Sequence, residues 1–144
     1  MRTVRDILQE KGSDVYTIAP ESSVFQALQL MAEKNVGALM VMSGDTAAGL
    51  ISERDYARKI VLKGRLSRDV TVREIMSPEI VAVGPEEDVE HCMELMTHKR
   101  VRHLPVFDDR RLIGLISIGD IVKAIIEHKE ETIRDLEQYI KGGR

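Results

Sequence analysis

Two short strings in this chain carry the groups best placed to do chemistry: Ser52-Glu53-Arg54-Asp55 and Ser117-Ile118-Gly119-Asp120. Each follows a Gly-Leu-Ile run, so each falls where an apolar strand gives way to a helix. A Ser-x-x-Asp spacing at that point closes a capping box. The hydroxyl accepts a backbone N–H three residues on, and the carboxylate reaches back to the serine N–H. The same geometry can serve a ligand. Backbone N–H groups at a helix start favour a phosphate, and a carboxylate is an acceptor for both hydroxyls of a ribose. Capping and binding are compatible roles for one pair of side chains.

Other chemistry is harder to build. His91, His98 and His103 are not at i, i+4 helix spacing, the single Cys92 gives no metal-site spacing, and one cysteine forms no internal disulfide. No nucleophile, base and orienting group stand together, so the chain is not expected to be an enzyme. Gly44 and Gly49 have the spacing of a phosphate loop, but Leu50-Ile51 replaces the Lys-Ser such a loop needs. The most basic stretch, His98 to His103, is six residues long and has no interleaved aromatics. Net charge is −3 and aromatics are 3%, which argues against nucleic acid as a partner.

The elements that must hold these strings come from a repeat. Residues 15–62 align without gaps on 80–127, with 15 identities in 48 positions. They include Pro20/Pro85, Val24/Val89, Met31/Met96, Gly49/Gly114, Ser52/Ser117 and Asp55/Asp120. Upstream, Thr3–Leu8 matches Thr71–Met76 at an offset three residues longer. The expected organisation is one repeat over 1–66 and a second over 67–144, the latter carrying a long terminal helix.

Each copy is expected to run helix, strand, helix, strand, strand, helix. Thr3 and Thr71 open helical turns by capping boxes. Val15–Ile18 and Ile80–Val83 are short strands stopped before a proline. Val24, Leu28 and Met31, like Val89, Met93 and Met96, lie on one helix face, with Ser23 and Asp88 as N-caps. Ala38–Met42 and His103–Phe107 form hairpins with the Gly-Leu-Ile strands through turns at Ser43–Ala48 and Asp108–Arg111. The last helix is predicted from about Ile118 to Ile140, stopped by Gly142-Gly143. Its Val122, Ile126, Ile133, Leu136 and Ile140 keep a three/four spacing broken by Lys129, open equally to packing on its own sheet or to a seam between subunits. With 43% hydrophobic residues a packed core is expected, but about 65 residues alone would bury little.

This arrangement resembles a tandem pair of CBS domains, a Bateman module. The resemblance rests on the two-copy βαββα order, the prolines before the helices, and the strand VRHLPV (101–106) with its diverged partner VGALMV (36–41). It rests also on the paired closers GLISERD (49–55) and GLISIGD (114–120), and it covers about residues 3 to 127. What it implies is an α+β fold of two repeats packed about a pseudo-twofold axis, usually dimeric. It also implies a regulatory module that binds AMP or a related adenosine nucleotide (ADP, ATP or NAD(H)) and needs no cofactor. With no effector domain left over, output would go to an unknown protein partner or be the assembly itself; a scaffold with empty clefts is the alternative.

Carried onto these residues, the resemblance makes Asp55 and Asp120 ribose ligands, with Ser52 and Ser117 near ribose or phosphate. Arg54, helped by Arg102 or His103, would meet phosphate, with Arg58 a weaker candidate. The alternative for Arg54 and Arg58 is surface pairing with Glu53 and Asp55. Gly37 and Ala38 are small where copy two has Arg102 and His103, which would admit adenine beside Thr17 and Ile18 and, in copy two, Ala82 and Val83. Tight helix-on-strand packing would explain the same small residues. The N-terminus carries no apolar run behind its charges, and no stretch has the length of a membrane span, so a cytoplasmic protein without a membrane partner is expected.

Overall fold

The computed structural model describes residues 2–142. The chain forms two compact units. One is Val15–Ile80; the other joins the N-terminal segment through Asp14 to the chain from Val81 onward.

In the unit Val15–Ile80, β1 (Thr17–Ile18) lies parallel to β2 (Ala38–Ser43), which pairs antiparallel with β3 (Thr46–Ser52). Gly44, at φ +62°, makes the tight turn that joins the two long strands, so Thr46–Ala48 belong to the strand rather than to a loop. Helix α2 (Val24–Lys34) starts at a Ser23/Gln26 capping box and ends at Asn35 in the left-handed region. It buries Val24, Ala27 and Met31 against Leu39, Val41 and Ile51. Leu28, expected on this face, is partly buried at its edge. After β3 comes only one α-turn, α3 (Glu53–Tyr56), followed by a π-helical turn over Ala57–Val61 that drops Ile60 into the core. A turn of 3₁₀ helix at Ser67–Asp69 leads to α4 (Val72–Ile75), whose Val72 and Ile75, with Val70, complete this core.

The other unit repeats the plan. Helix α5 (Val89–Lys99) packs Val89, Cys92 and Met96 onto β4 (His103–Asp108) and β5 (Arg111–Ser117). Both hairpins carry a bulge at the same place, after Val41 and after Val106. The last helix, α6 (Ile118–Gly142), buries Ile121 and Ala124. Gly143, expected to help stop it, lies outside the described residues.

Copy two lacks the parallel strand of copy one. Only a bridge between Val83 and Val106 forms where a strand over 80–83 is expected. The cause is Pro105. In copy one the Met40 N–H donates to Tyr16 C=O at 3.2 Å; the equivalent position in β4 is proline, which has no N–H to give to Val81.

The leading helices are exchanged between the copies. Helix α1 (Val4–Lys11) packs Val4, Ile7 and Leu8 into the core built by copy two, and α4 packs into the core built by copy one. The backbone bonds match position for position. Val4 N–H donates to Glu87 C=O at 2.9 Å and Arg5 N–H to Pro85 C=O at 2.8 Å; Val72 N–H donates to Ser22 C=O at 2.8 Å and Arg73 N–H to Pro20 C=O at 2.9 Å. Ion pairs follow the same crossing, Arg5 with Glu86 at 2.8 Å and Arg73 with Glu21 at 2.7 Å.

Candidate functional site

In each unit the Ser-x-x-Asp string stands at the strand-to-helix junction, beside the first residue of the neighbouring strand. Ser52 pairs with Ala38 and Ser117 with His103. The junction is locked by one more bond in each copy, Glu53 N–H to Gly37 C=O at 3.0 Å and Ile118 N–H to Arg102 C=O at 2.9 Å. Gly37-Ala38 and Arg102-His103 are thereby brought beside their own copy's carboxylate.

Both strings close a capping box. Asp55 Oδ2 accepts from Ser52 N–H at 2.9 Å and from Ser52 Oγ at 3.1 Å, while Asp55 N–H donates to Ser52 Oγ at 3.3 Å. Asp120 Oδ2 accepts from Ser117 N–H at 2.8 Å, and Asp120 N–H donates to Ser117 Oγ at 3.2 Å. The structural role of these four residues is therefore filled in both copies.

Each carboxylate also has a lysine that the sequence reading missed. Lys59 Nζ stands 3.3 Å from Asp55 Oδ1 and donates to Ile75 C=O at 2.8 Å. Its i,i+4 spacing was the available signal. Copy two has Ala124 at that position, and Lys11 arrives instead from α1, 2.7 Å from Asp120 Oδ2 and 3.0 Å from Leu115 C=O. No local spacing could announce a contact 109 residues away. Burial raises the Asp120 pKa, but the Lys11 bond, the Ser117 N–H and the Lys11 charge outweigh it, so its carboxyl is held below the usual aspartate value.

Arg54 and Arg58 are exposed, and among the described residues neither pairs with an acidic side chain; Asp55 has Lys59 instead. Arg102 is exposed and His103 half-buried. Beside Gly37 the space is taken: a Cβ there would meet Glu53 Oε1 at 3.0 Å. Ala38 is 3% exposed and belongs to the interior. Thr17 and Ala82 are exposed, and Ile18 packs at the margin of its core. Val83 is buried at 7%, and its backbone is spent on Pro105 C=O and Phe107 N–H. Cys92 is fully buried, and burial, then Glu87 and Asp88, push its thiol up to about 11, which keeps it protonated.

Two copies of one α+β unit, each presenting a capped carboxylate at the same strand-to-helix junction, define a duplicated module rather than a single active centre. The family model for the CBS domain matches residues 3–62 and again 72–127. The chain belongs to the CBS-domain family. It is 39% identical over 150 residues to the mitochondrial CBS domain-containing protein CBSX3 of Arabidopsis thaliana, covering 98% of this chain and 73% of that one. A solved CBS-domain protein of Burkholderia ambifaria MC40-6 superposes with a TM-score of 0.84 at 50% identity, covering 88% of this chain and 95% of that one. The CBS domain pair of protein MJ0100, crystallised with 5′-methylthioadenosine and S-adenosyl-L-methionine, shares the fold at a TM-score of 0.77 and 23% identity, covering 89% and 98%. Small stand-alone proteins of this family are regulatory. Among the described residues no helix is long and apolar enough to cross a membrane.

Proposed function

We propose that this chain is a sensor of adenosine nucleotides, AMP first and ADP, ATP or NAD(H) as its relatives, acting on a partner protein or through its own assembly as a homodimer. The observation that carries this reading is the duplicated Ser-x-x-Asp junction within a CBS pair. Among the described residues every bond to Asp120 falls on Oδ2, which leaves Oδ1 as an acceptor for a ribose hydroxyl. At Asp55 a ribose would take Oδ1 in place of the long 3.3 Å contact from Lys59. Arg54, with Arg58 behind it, is an exposed cation for phosphate in one unit; Arg102 and His103 take that role in the other. Thr17, Ile18, Gly37 and Ala82 border the adenine, the buried Ala38 and Val83 shape the backbone behind it, and Glu53 must swing away from Gly37 to admit it. Binding, not turnover, is the activity, because the chemistry-bearing motif is repeated and not assembled into a nucleophile and base. The MJ0100 complex shows that this fold can hold adenosine-containing ligands.

The test is a thermal-shift panel of AMP, ADP, ATP, NAD, NADH and S-adenosylmethionine on the wild type, Asp55→Asn and Asp120→Asn. Asparagine keeps a cap acceptor but removes the charge. A ligand at about 100 times its Kd adds roughly 2.7 kcal/mol, or about 5–10 °C for a chain of this size. The expected result is a shift with AMP that at least one variant loses, measured against that variant's own Tm. No shift of the wild type at millimolar ligand overturns the reading and leaves a nucleotide-independent scaffold.

A further inference from the structure

Helix α6 keeps an apolar stripe that its own unit does not cover. Its inward face is Ile121 and Ala124. On the outer face Val122 is 40% exposed, Ile126 50%, Ile133 56%, Leu136 58% and Ile140 69%, and every residue from Lys129 to Lys141 is exposed. From Gly119 the positions 119, 122, 126, 129, 133, 136 and 140 alternate steps of three and four without a break. Three heptads of that register match a partner helix with the same register, which is what a second copy supplies. Glu127, Glu130, Glu131, Arg134, Asp135 and Glu137 all fall outside the stripe.

Charge decides the direction. Were two such helices parallel, Lys129 would face the partner subunit's Lys129 inside the seam, and the flanking pairs would be Glu130 with Ile125 and Glu137 with Thr132, none of opposite charge. Antiparallel, with the two-fold axis beside residues 130–132, Val122 meets the partner subunit's Ile140 and Ile126 meets the partner subunit's Leu136. Lys129 then lies against the partner subunit's Ile133 with its ammonium beside the partner subunit's Glu130, which places a cation from each helix against the two Glu130 carboxylates that meet across the axis. Lys123 faces the partner subunit's Glu137. The exposed second half of each helix is thereby laid along the outer face of the other's first half.

We propose that α6 pairs antiparallel with α6 of a second copy of this chain through Val122, Ile126, Ile133, Leu136 and Ile140, with Lys129 setting the direction. This deepens the homodimer part of the proposed function and stands apart from its nucleotide part. The test compares molar mass by light scattering for the wild type and for the double substitution Ile133→Glu with Leu136→Glu. Both side chains are exposed, so the cores are untouched, and far-UV circular dichroism checks that the fold is kept.

The expected result is a dimeric wild type and a folded, monomeric variant. A monomeric wild type removes the homodimer reading and the seam together; a variant that stays dimeric overturns the seam alone. Direction is read from two single substitutions under a mild oxidant, Cys92 being buried. Glu130→Cys should cross-link to its own copy across the axis, and Lys129→Cys should not. The opposite pattern overturns the antiparallel pairing.

Discussion

Gly49 and Gly114 occupy equivalent positions, yet what each one admits is different. A Cβ on Gly49 would collide with the Ser77 carbonyl oxygen, a backbone atom held by reciprocal bonds between Leu50 and Ser77 at 3.0 and 2.9 Å. A Cβ on Gly114 would meet Leu8 Cδ2 at 2.6 Å, the end of a side chain that can change rotamer. Gly49→Ala should therefore cost more than Gly114→Ala, about 2–3 kcal/mol against about 1 kcal/mol. Chemical denaturation of the two variants checks the order, and equal losses would mean that Ser77 yields as easily as Leu8. At this scale much was legible in the sequence. The Ser-x-x-Asp spacing announced both capping boxes, and Ser23 and Asp88 stand as N-caps. What was not legible were the partners that arrive from far along the chain, Lys11 on Asp120 above all. The pairing of Arg54 or Arg58 with Asp55, read as an alternative, gives way to Lys59.

Elements were legible where a pattern repeats and obscure where one residue alters it. The two hairpins keep the same register and the same bulge in both copies, as 15 identities over 48 positions would require. The strand before Pro85 is the exception, and its β-branched residues gave no warning. One missing donor in β4 undoes the parallel ladder, because strand pairing depends on backbone groups that side-chain patterns do not report. Pro105→Ala restores that donor without adding bulk. Its amide should pair with Val81 C=O and exchange with solvent at least tenfold more slowly than an open amide, as hydrogen exchange by NMR would show. Free exchange at position 105 would mean that the strand is lost for another reason. The final helix of copy one is the second departure. It leaves α-geometry after one turn, and the wide turn at Ala57–Val61 drops Ile60 into the core.

For the whole molecule the sequence defines the repeat but not which pieces pack together. Arg5 would suit Glu21 as well as it suits Glu86, and Arg73 would suit either too, so charge alone does not assign the leading helices. Their apolar faces are equally interchangeable, Val4, Ile7 and Leu8 against Val72 and Ile75. The structure resolves this ambiguity in favour of exchange, with a consequence for fragments. Residues 15–80 are contiguous and contain a complete core, including Val70, Val72 and Ile75 at 3%, 0% and 1% exposure. Residues 1–66, the first repeat as sequence divides it, lack those three side chains and carry an α1 whose core lies after Val81. Losing three buried aliphatic residues removes about 5–9 kcal/mol of burial, comparable with the whole stability of a domain this small. Fragment 15–80 has the marginal size of a small domain, but with its core complete it should melt cooperatively with native-like far-UV circular dichroism, and fragment 1–66 should not. If 1–66 folds and 15–80 does not, each leading helix belongs with its own copy, and the exchange between copies is wrong.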